Sequence, residues 1–457
     1  MPAFFGADDI WGSRRENDAA EGVILVGVWA LSEKEFLSEE DFWHSLDELE
    51  DLAKACEMDP RCRVTQQLPS VDKALYVRSG KAAEIAALVD AWEASRVIFN
   101  DTLSPSQIRN LQKILKVPVT DRTRLILDIF ERRARTRESR LQVELAKLQY
   151  LKPRLIGMWE TQNRQGGASG SQSSKGEGEK QLEIDRRTID HRLAELRREL
   201  TEVTRERATQ RKKRKNSRLP LVALVGYTNA GKSTIMNAML EEWGTEPGSA
   251  DRKVFEADML FATLDTTVRR IEMERGREFL LSDTVGFIHR LPTTLVEAFK
   301  STLEEVTQAD LLLQVVDASD SHVSEHIEVT KNTLTELGAG HIPMITVYNK
   351  SDLCDPSRNY PRRGLRESSI DGERNENIYI SAKEKESIHL LTSVILEKLE
   401  RGDVEREFLI PYTKGAVQSY LMQNARIENT EYLDTGVYLH VKCNKIVAEK
   451  AERMLQS

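Results

Sequence analysis

Nine consecutive residues, Gly226-Tyr227-Thr228-Asn229-Ala230-Gly231-Lys232-Ser233-Thr234, carry the spacing G-x-x-x-x-G-K-S, and each defining position in that spacing suits a phosphate chain. The glycines let the backbone wrap so that successive amide N–H groups face phosphate oxygens, and a helix beginning near Gly231 adds its positive end. Lys232 supplies a point charge for the terminal phosphates, and the Ser233 hydroxyl is placed to ligate Mg2+. The aliphatic run Leu221–Val225 reads as a buried strand and the residues after Lys232 as a helix. A chance glycine turn lacks that strand-and-helix context.

Three further stations follow in chain order. Asp283-Thr284-Val285-Gly286 ends an apolar strand, so Asp283 is expected to hold magnesium through water and the Gly286 amide to sense a third phosphate. Asn349-Lys350-Ser351-Asp352 ends another, and the Asp352 carboxylate can accept from guanine N1–H and the 2-amino group together. Adenine lacks both donors and would leave the carboxylate unpaired, a discrimination of roughly 10^4 in sites built around such bonds. Ser381-Ala382-Lys383, after the strand-like Asn377–Ile380, offers a backbone N–H toward guanine O6. D-x-x-G alone is weak; the ordered set specifies GTP and GDP with Mg2+.

Phe261-Ala262-Thr263-Leu264-Asp265 lies between the phosphate loop and Asp283. Thr263 is the expected residue to close on Mg2+ and the γ-phosphate, with Thr266 and Thr267 as rivals and a plain surface turn as the compositional alternative. Phe287 stands where Ras-like proteins carry a water-orienting glutamine. A phenyl ring neither donates nor accepts, so no catalytic residue is assigned and slow intrinsic turnover is expected. Asn229 fits either a K+ ion held against the phosphates or a side chain that merely ties loop to loop.

These stations need a parallel sheet with helices, and 457 residues leave room for several domains. An α/β fold is expected throughout: a small α/β docking unit over 22–120, a basic helical hairpin over 121–217 with a Gly/Ser-rich tip loop at 158–180, a GTPase-type domain over 218–402, and a small α+β unit over 403–457. Strands are expected at Val23–Trp29, Arg63–Thr65, Ala74–Val77, Arg96–Phe99 and Val117–Val119. One long helix is expected from about Thr123 to Leu155 and a second from about Gln181 to Arg214, forming an antiparallel pair. The four cysteines, Cys56, Cys62, Cys354 and Cys443, form no zinc-type pairs and suit a reducing cytosol, with Cys56 and Cys62 as packing residues. No run is long enough to span a bilayer, so a cytoplasmic monomer is expected.

The net charge of −8 speaks against generic nucleic-acid affinity, but it hides local fields. Glu131–Arg140 and Arg205–Lys215 are strongly basic, and each lies on one helix of the pair. One basic face is usually solvated surface; two on paired helices favour a phosphate-backbone partner, RNA. Gln165–Lys180 reads by composition as a flexible linker, or as a mobile tip able to enter an RNA cavity.

The chain resembles the HflX family of translational GTPases over nearly its whole length. The residues that carry this are Gly226–Thr234, Phe261–Asp265, Asp283–Phe287 with Ile288–Pro292, and in the N-terminal part Leu103–Leu111, Asp121–Thr123, Arg132–Glu138 and Leu141–Leu145. The resemblance implies binding to the large ribosomal subunit and its ribosomal RNA near the peptidyl transferase centre, with splitting or rescue of stalled ribosomes; it also carries Thr263 and Ser233 over as magnesium ligands. Where family members have a compact G-G-x-G-x-x-G-P-G-E-T-Q-L-E connection, this chain has a serine-rich tip without the proline before Gln181-Leu182-Glu183. That departure fits a paralogue displacing ribosome-bound antibiotics, or drift in a linker. A subunit assembly factor and a protein-recruiting GTP switch without RNA contact are the remaining alternatives.

His322-Val323-Ser324-Glu325-His326 matches the zinc-peptidase spacing H-x-x-E-H. It is expected on a surface helix with no third ligand in sight, and so as a chance match.

Overall fold

The computed structural model describes residues 20–33, 38–165, 173–217, 219–244, 260, 261, 264, 266–273, 277–288, 305–354, 361, 363–370, 373–400 and 403–456. The first sheet runs β2-β1-β3-β4, all pairings parallel, from Glu21–Ala30 (β1), Met58–Leu68 (β2), Arg96–Phe99 (β3) and Val119–Asp121 (β4). A parallel sheet covered on both faces loses polar alternation, and β1 is buried without a break from Val23 to Val28. Val23 and Leu25 pack on Glu39–Ala55 (α1); Ile24, Val26 and Val28 pack on Ser79–Ala91 (α2) and Pro105–Leu115 (α3). Reciprocal capping boxes start two of these helices, Ser38 with Asp41 on α1 and Ser104 with Gln107 on α3.

Two expectations change here. Ala74–Val77 is no strand: the Ala74 and Leu75 amides donate to Asp72 Oδ1 at 2.8 and 2.9 Å, a side-chain turn that competes with sheet pairing. The helix expected from Thr123 to Leu155 is two helices, Arg122–Arg133 (α4) and Arg137–Gln165 (α5). They separate at Ala134, whose ψ of 108° is extended, and the Ser139 amide donates to Thr136 Oγ1 at 3.1 Å to start the second. The buried Asp121 fixes the corner. Its carboxylate receives the Arg124 amide (2.9 Å), the Leu103 amide (3.1 Å), the Tyr150 hydroxyl (2.8 Å) and Arg154 Nη2 (3.2 Å).

Ser173–Ser217 (α6) lies antiparallel to α5, with Leu141 and Leu145 against Leu193 and Leu196. The ion pairs run in opposite chain order, Glu144 with Arg192 at 2.8 Å and Arg137 with Glu199 at 3.5 Å. Both helices extend well into the expected 158–180 loop, to Gln165 and from Ser173. Propagation from a packed segment costs far less than nucleation, which glycine and serine content alone does not reveal. Residues 166–172 lie outside the described residues, as do the side chains of 155–182 and 206–218.

The second sheet has seven strands in the order β10-β11-β9-β8-β5-β7-β6. They are Leu221–Gly226 (β5), Thr267–Glu272 (β6), Glu278–Asp283 (β7), Leu311–Asp317 (β8), Met344–Asn349 (β9), Gly364–Ile370 (β10) and Glu373–Tyr379 (β11). The interior pairings are parallel and both edge pairings antiparallel. Lys232–Trp243 (α7) and Lys385–Glu400 (α9) share one core with the sheet, while Leu334 of Val323–Glu336 (α8) packs in another with Val225 and Leu312. Last comes a three-stranded antiparallel sheet, Asp403–Ile410 (β12), Arg426–Leu433 (β13) and Gly436–Asn444 (β14), with Gly415–Asn424 (α10) and Lys445–Gln456 (α11) against it. Among the described residues no helix is long and apolar enough to cross a membrane. Cys56 is a packing residue: burial pushes its thiol up to about 12.

Leu196 is fully buried between α5 and α6. Leu196→Ala is expected to cost the hairpin about 2–5 kcal/mol, read as earlier loss of helical circular dichroism in urea. An unshifted transition would mean that the helices do not depend on this seam.

Candidate nucleotide site

The parallel strands β5, β7 and β9 deliver their C-terminal ends to one edge, where open α/β sheets bind ligands. Here the glycines are sterically required. A Cβ on Gly226 (φ +142°) would sit 2.1 Å from the Val315 carbonyl oxygen, and one on Gly231 (φ +95°) would sit 2.1 Å from Asn349 Nδ2. Lys232 is buried beneath the loop and donates to the carbonyls of Gly226 (3.1 Å) and Tyr227 (2.7 Å). Burial lowers its pKa from 10.5 to about 8, with the nearby Asp283 charge pulling the other way. The Ser233 hydroxyl donates to Asp283 Oδ2 at 2.8 Å, and Thr234 is half-buried in the first turn of α7. Asn229 is exposed at the loop tip with φ +59°.

Asn349 is a crosslink. Its Nδ2 donates to the Ala230 carbonyl and its Oδ1 accepts the Ala382 amide, both at 3.0 Å, so one side chain ties the phosphate loop to Ser381-Ala382-Lys383. Lys350, at φ +57°, pairs with Asp317 at 2.8 Å, and the Ser351 amide donates to the Ile380 carbonyl at 3.1 Å. This arrangement leaves the Asp352 and Lys383 side chains exposed at the same edge, while Ser381 is buried. Nothing in the spacing of the chain announces Asp317, the partner that holds Lys350.

Several site residues turn their side chains elsewhere. Thr284 donates its hydroxyl to the Leu224 carbonyl at 2.6 Å. Tyr227 stacks on His326 with ring centroids 3.7 Å apart, and its hydroxyl donates to Glu48, which also pairs with Arg122. What Tyr227 and Thr284 can offer a nucleotide is therefore their backbone. The Phe287 ring is buried among Val225, Val306 and Leu312; its amide donates to the Gly226 carbonyl (3.0 Å) and its carbonyl accepts the Thr228 amide (2.8 Å).

Ala262, Thr263 and Asp265 lie outside the described residues, as do 289–292. Their described neighbours are informative. Phe261 meets Phe130 edge-on at 4.7 Å, and Leu264, Val285 and Ile288 share that apolar cluster with Leu125, Ile126 and Ile129 of α4. Of the rival hydroxyls, Thr267 contacts Met236 Sδ at 3.6 Å, and the buried Thr266 Oγ1 has no hydrogen-bond partner among the described residues.

Comparison with known proteins agrees with this geometry. Residues 43–131 match a family described as "GTP-binding GTPase N-terminal", 133–214 "GTP-binding GTPase Middle Region", and 221–350 "50S ribosome-binding GTPase". The GTPase HflX of Akkermansia muciniphila is 42% identical over 97% of this chain and 98% of its own. That of Caldanaerobacter subterraneus is 40% identical over 96% and 94%, and that of Escherichia coli 39% over 93% and 94%. The chain belongs to the HflX family of GTPases. As an HflX GTPase it binds guanine nucleotide and hydrolyses GTP.

The buried lysine gives this HflX GTPase a pH signature. Below about 8 Lys232 is already an ammonium ion, so GTP affinity is expected to be flat. Above that value the charge must be restored on binding, a proton is taken up, and affinity is expected to fall by up to ~10-fold per pH unit. Titrations of GTP binding between about pH 7 and 9.5 check this; an affinity independent of pH would remove Lys232 from phosphate binding.

Proposed function

We propose that this chain attaches to the large ribosomal subunit and its RNA through the basic stretches of its helical hairpin. GTP with Mg2+ controls the attachment, and its output is the splitting or rescue of stalled ribosomes. The observation that carries the reading is the burial of Phe261, Leu264, Val285 and Ile288 in one apolar cluster with α4 and with Val143, Ala146 and Tyr150 of α5. These residues flank Thr263 and Gly286, the two positions expected to answer the γ-phosphate. Close-packed cores shift between discrete arrangements, so movement of either segment is felt by the helices that lead into the hairpin.

The first basic stretch lies where those helices meet. Arg132, Arg135, Arg137 and Arg140 are exposed. Arg132 pairs with Glu57 at 2.7 Å and Arg137 with Glu199 at 3.5 Å. Exposed pairs of this kind contribute little, and their arginines exchange readily onto phosphate oxygens.

At the nucleotide, Ser233 and Asp283 offer Mg2+ hard oxygen donors that suit an ion retaining most of its water. Mg2+ there would offset charge on the β- and γ-phosphate oxygens. Thr263 is the further ligand we assign, and exposed Asn229 is the position for K+. Asp352 reads guanine, with Asn349 holding the loops in register and the Ser381–Lys383 backbone facing O6. Because the Phe287 ring is buried in the core, it orients no water; intrinsic turnover is slow and the ribosome stimulates it.

Two measurements test the proposal. Asp352→Asn is expected to lower GTP affinity by about 10^4-fold and to shift preference toward xanthine nucleotides, which present an oxygen where guanine has its 2-amino group. Unchanged GTP affinity would remove Asp352 from base recognition. In sedimentation of purified ribosomes, GTP or a non-hydrolysable analogue is expected to convert intact couples to subunits, and ATP is not. Attachment should weaken by roughly 10^3–10^5 between about 50 and 200 mM salt if 6–10 phosphates are contacted. Binding indifferent to salt would favour a protein-recruiting switch, and a preference for immature subunits would favour an assembly role.

A further inference from the structure

The H-x-x-E-H segment is not on an open surface. His326 is buried, and His322 and Glu325 face Asp41 and His44 on α1 of the N-terminal sheet domain. One ligand atom from each of Asp41, His322 and Glu325 lies within 4.8 Å of the other two. The His44 ring, one helical turn beyond Asp41, stacks on His322 at 3.9 Å and lies 5.6 Å from His326. The third ligand that the sequence did not reveal comes from another sheet domain.

Two observations go beyond the clustering. Asp320 places one carboxylate oxygen 3.6 Å from His322 Nδ1 and the other 3.6 Å from His326 Nδ1. His322 Nδ1 also bonds with the Ser321 hydroxyl at 3.0 Å, so Asp320 acts on the two rings as a nearby charge, beyond hydrogen-bond distance. The Nε2 atoms of His44 and His326 are buried with no hydrogen-bond partner among the described residues. A cation would relieve the Asp41–Glu325 repulsion, and the two carboxylates offset its unfavourable position at the α8 N-terminus.

We infer that Asp41, His322 and Glu325 bind a divalent transition-metal ion that clasps the N-terminal sheet domain to the GTPase domain. Imidazole together with carboxylates selects Zn2+ over Mg2+. Asp320 supplies a further negative charge beside both imidazole rings. His326 carries the consequence inward, since its ring stacks on Tyr227 of the phosphate loop at 3.7 Å. The inference stands apart from the ribosome reading, because it uses neither the hairpin nor the RNA.

The test uses the full chain, stripped with a chelator and titrated with Zn2+ against a chromophoric competitor in excess Mg2+. One equivalent of Zn2+ is expected, and Co2+ in its place should give visible d–d absorption. Glu325→Gln should weaken Zn2+ binding by more than ~10-fold, with circular dichroism melts as the check on folding. Asp41 also caps α1, so Glu325→Gln is the deciding variant. Failure to take up one equivalent, or an affinity unchanged by Glu325→Gln, overturns the site.

Discussion

A buried carboxylate, Glu48, joins the two sheet domains. It lies between the Arg122 guanidinium and the Tyr227 hydroxyl, and all three residues are almost wholly buried. A charge in that environment is tolerated only when it is paired and its remaining lone pairs are satisfied. Arg122 starts the helix that leads toward the hairpin, and Tyr227 is the second residue of the phosphate-loop motif. The N-terminal domain thus completes its charge balance with a hydroxyl from the loop that holds the nucleotide.

The stripe of α1 that carries Glu48 also carries Asp41 and His44, spaced so that all three lie on one side of the helix. Opposite them stand Tyr227, His322, Glu325 and His326. This junction is polar at one end, while at the other Phe130, Phe261, Leu264, Val285 and Ile288 form an apolar contact. Apolar packing resists small displacements, and the paired charges make separation costly. Such a junction favours discrete states over graded motion, which is what a nucleotide-dependent switch requires.

The nucleotide edge is fixed by equally few groups. Asn349 holds the phosphate loop and the Ser381–Lys383 loop with one amide group, and the glycines at 226 and 231 allow backbones to approach where any side chain would collide. Ser233 and Asp283 share a hydrogen bond beside the loop, and the Asp352 carboxylate is exposed at the same edge, where the proposed metal ion and base would sit.

The sequence by itself determined the local chemistry. The spacing of Gly226, Gly231, Lys232 and Ser233, the strand-ending Asp283 and Asn349, and the unbroken apolar run of β1 each report a constraint that acts within a few residues. Local pattern misleads at Ala74–Val77, where the Asp72 turn outcompetes pairing; in the Thr123–Leu155 helix, broken at Ala134; and in the extent of the Gly/Ser loop, because helix propagation depends on packing against a partner. Only the tertiary structure decided where Tyr227, Phe287 and His326 point and that Asp41 faces His322 and Glu325. Those contacts join segments far apart in the chain, and no periodicity within either segment encodes which face will meet the other.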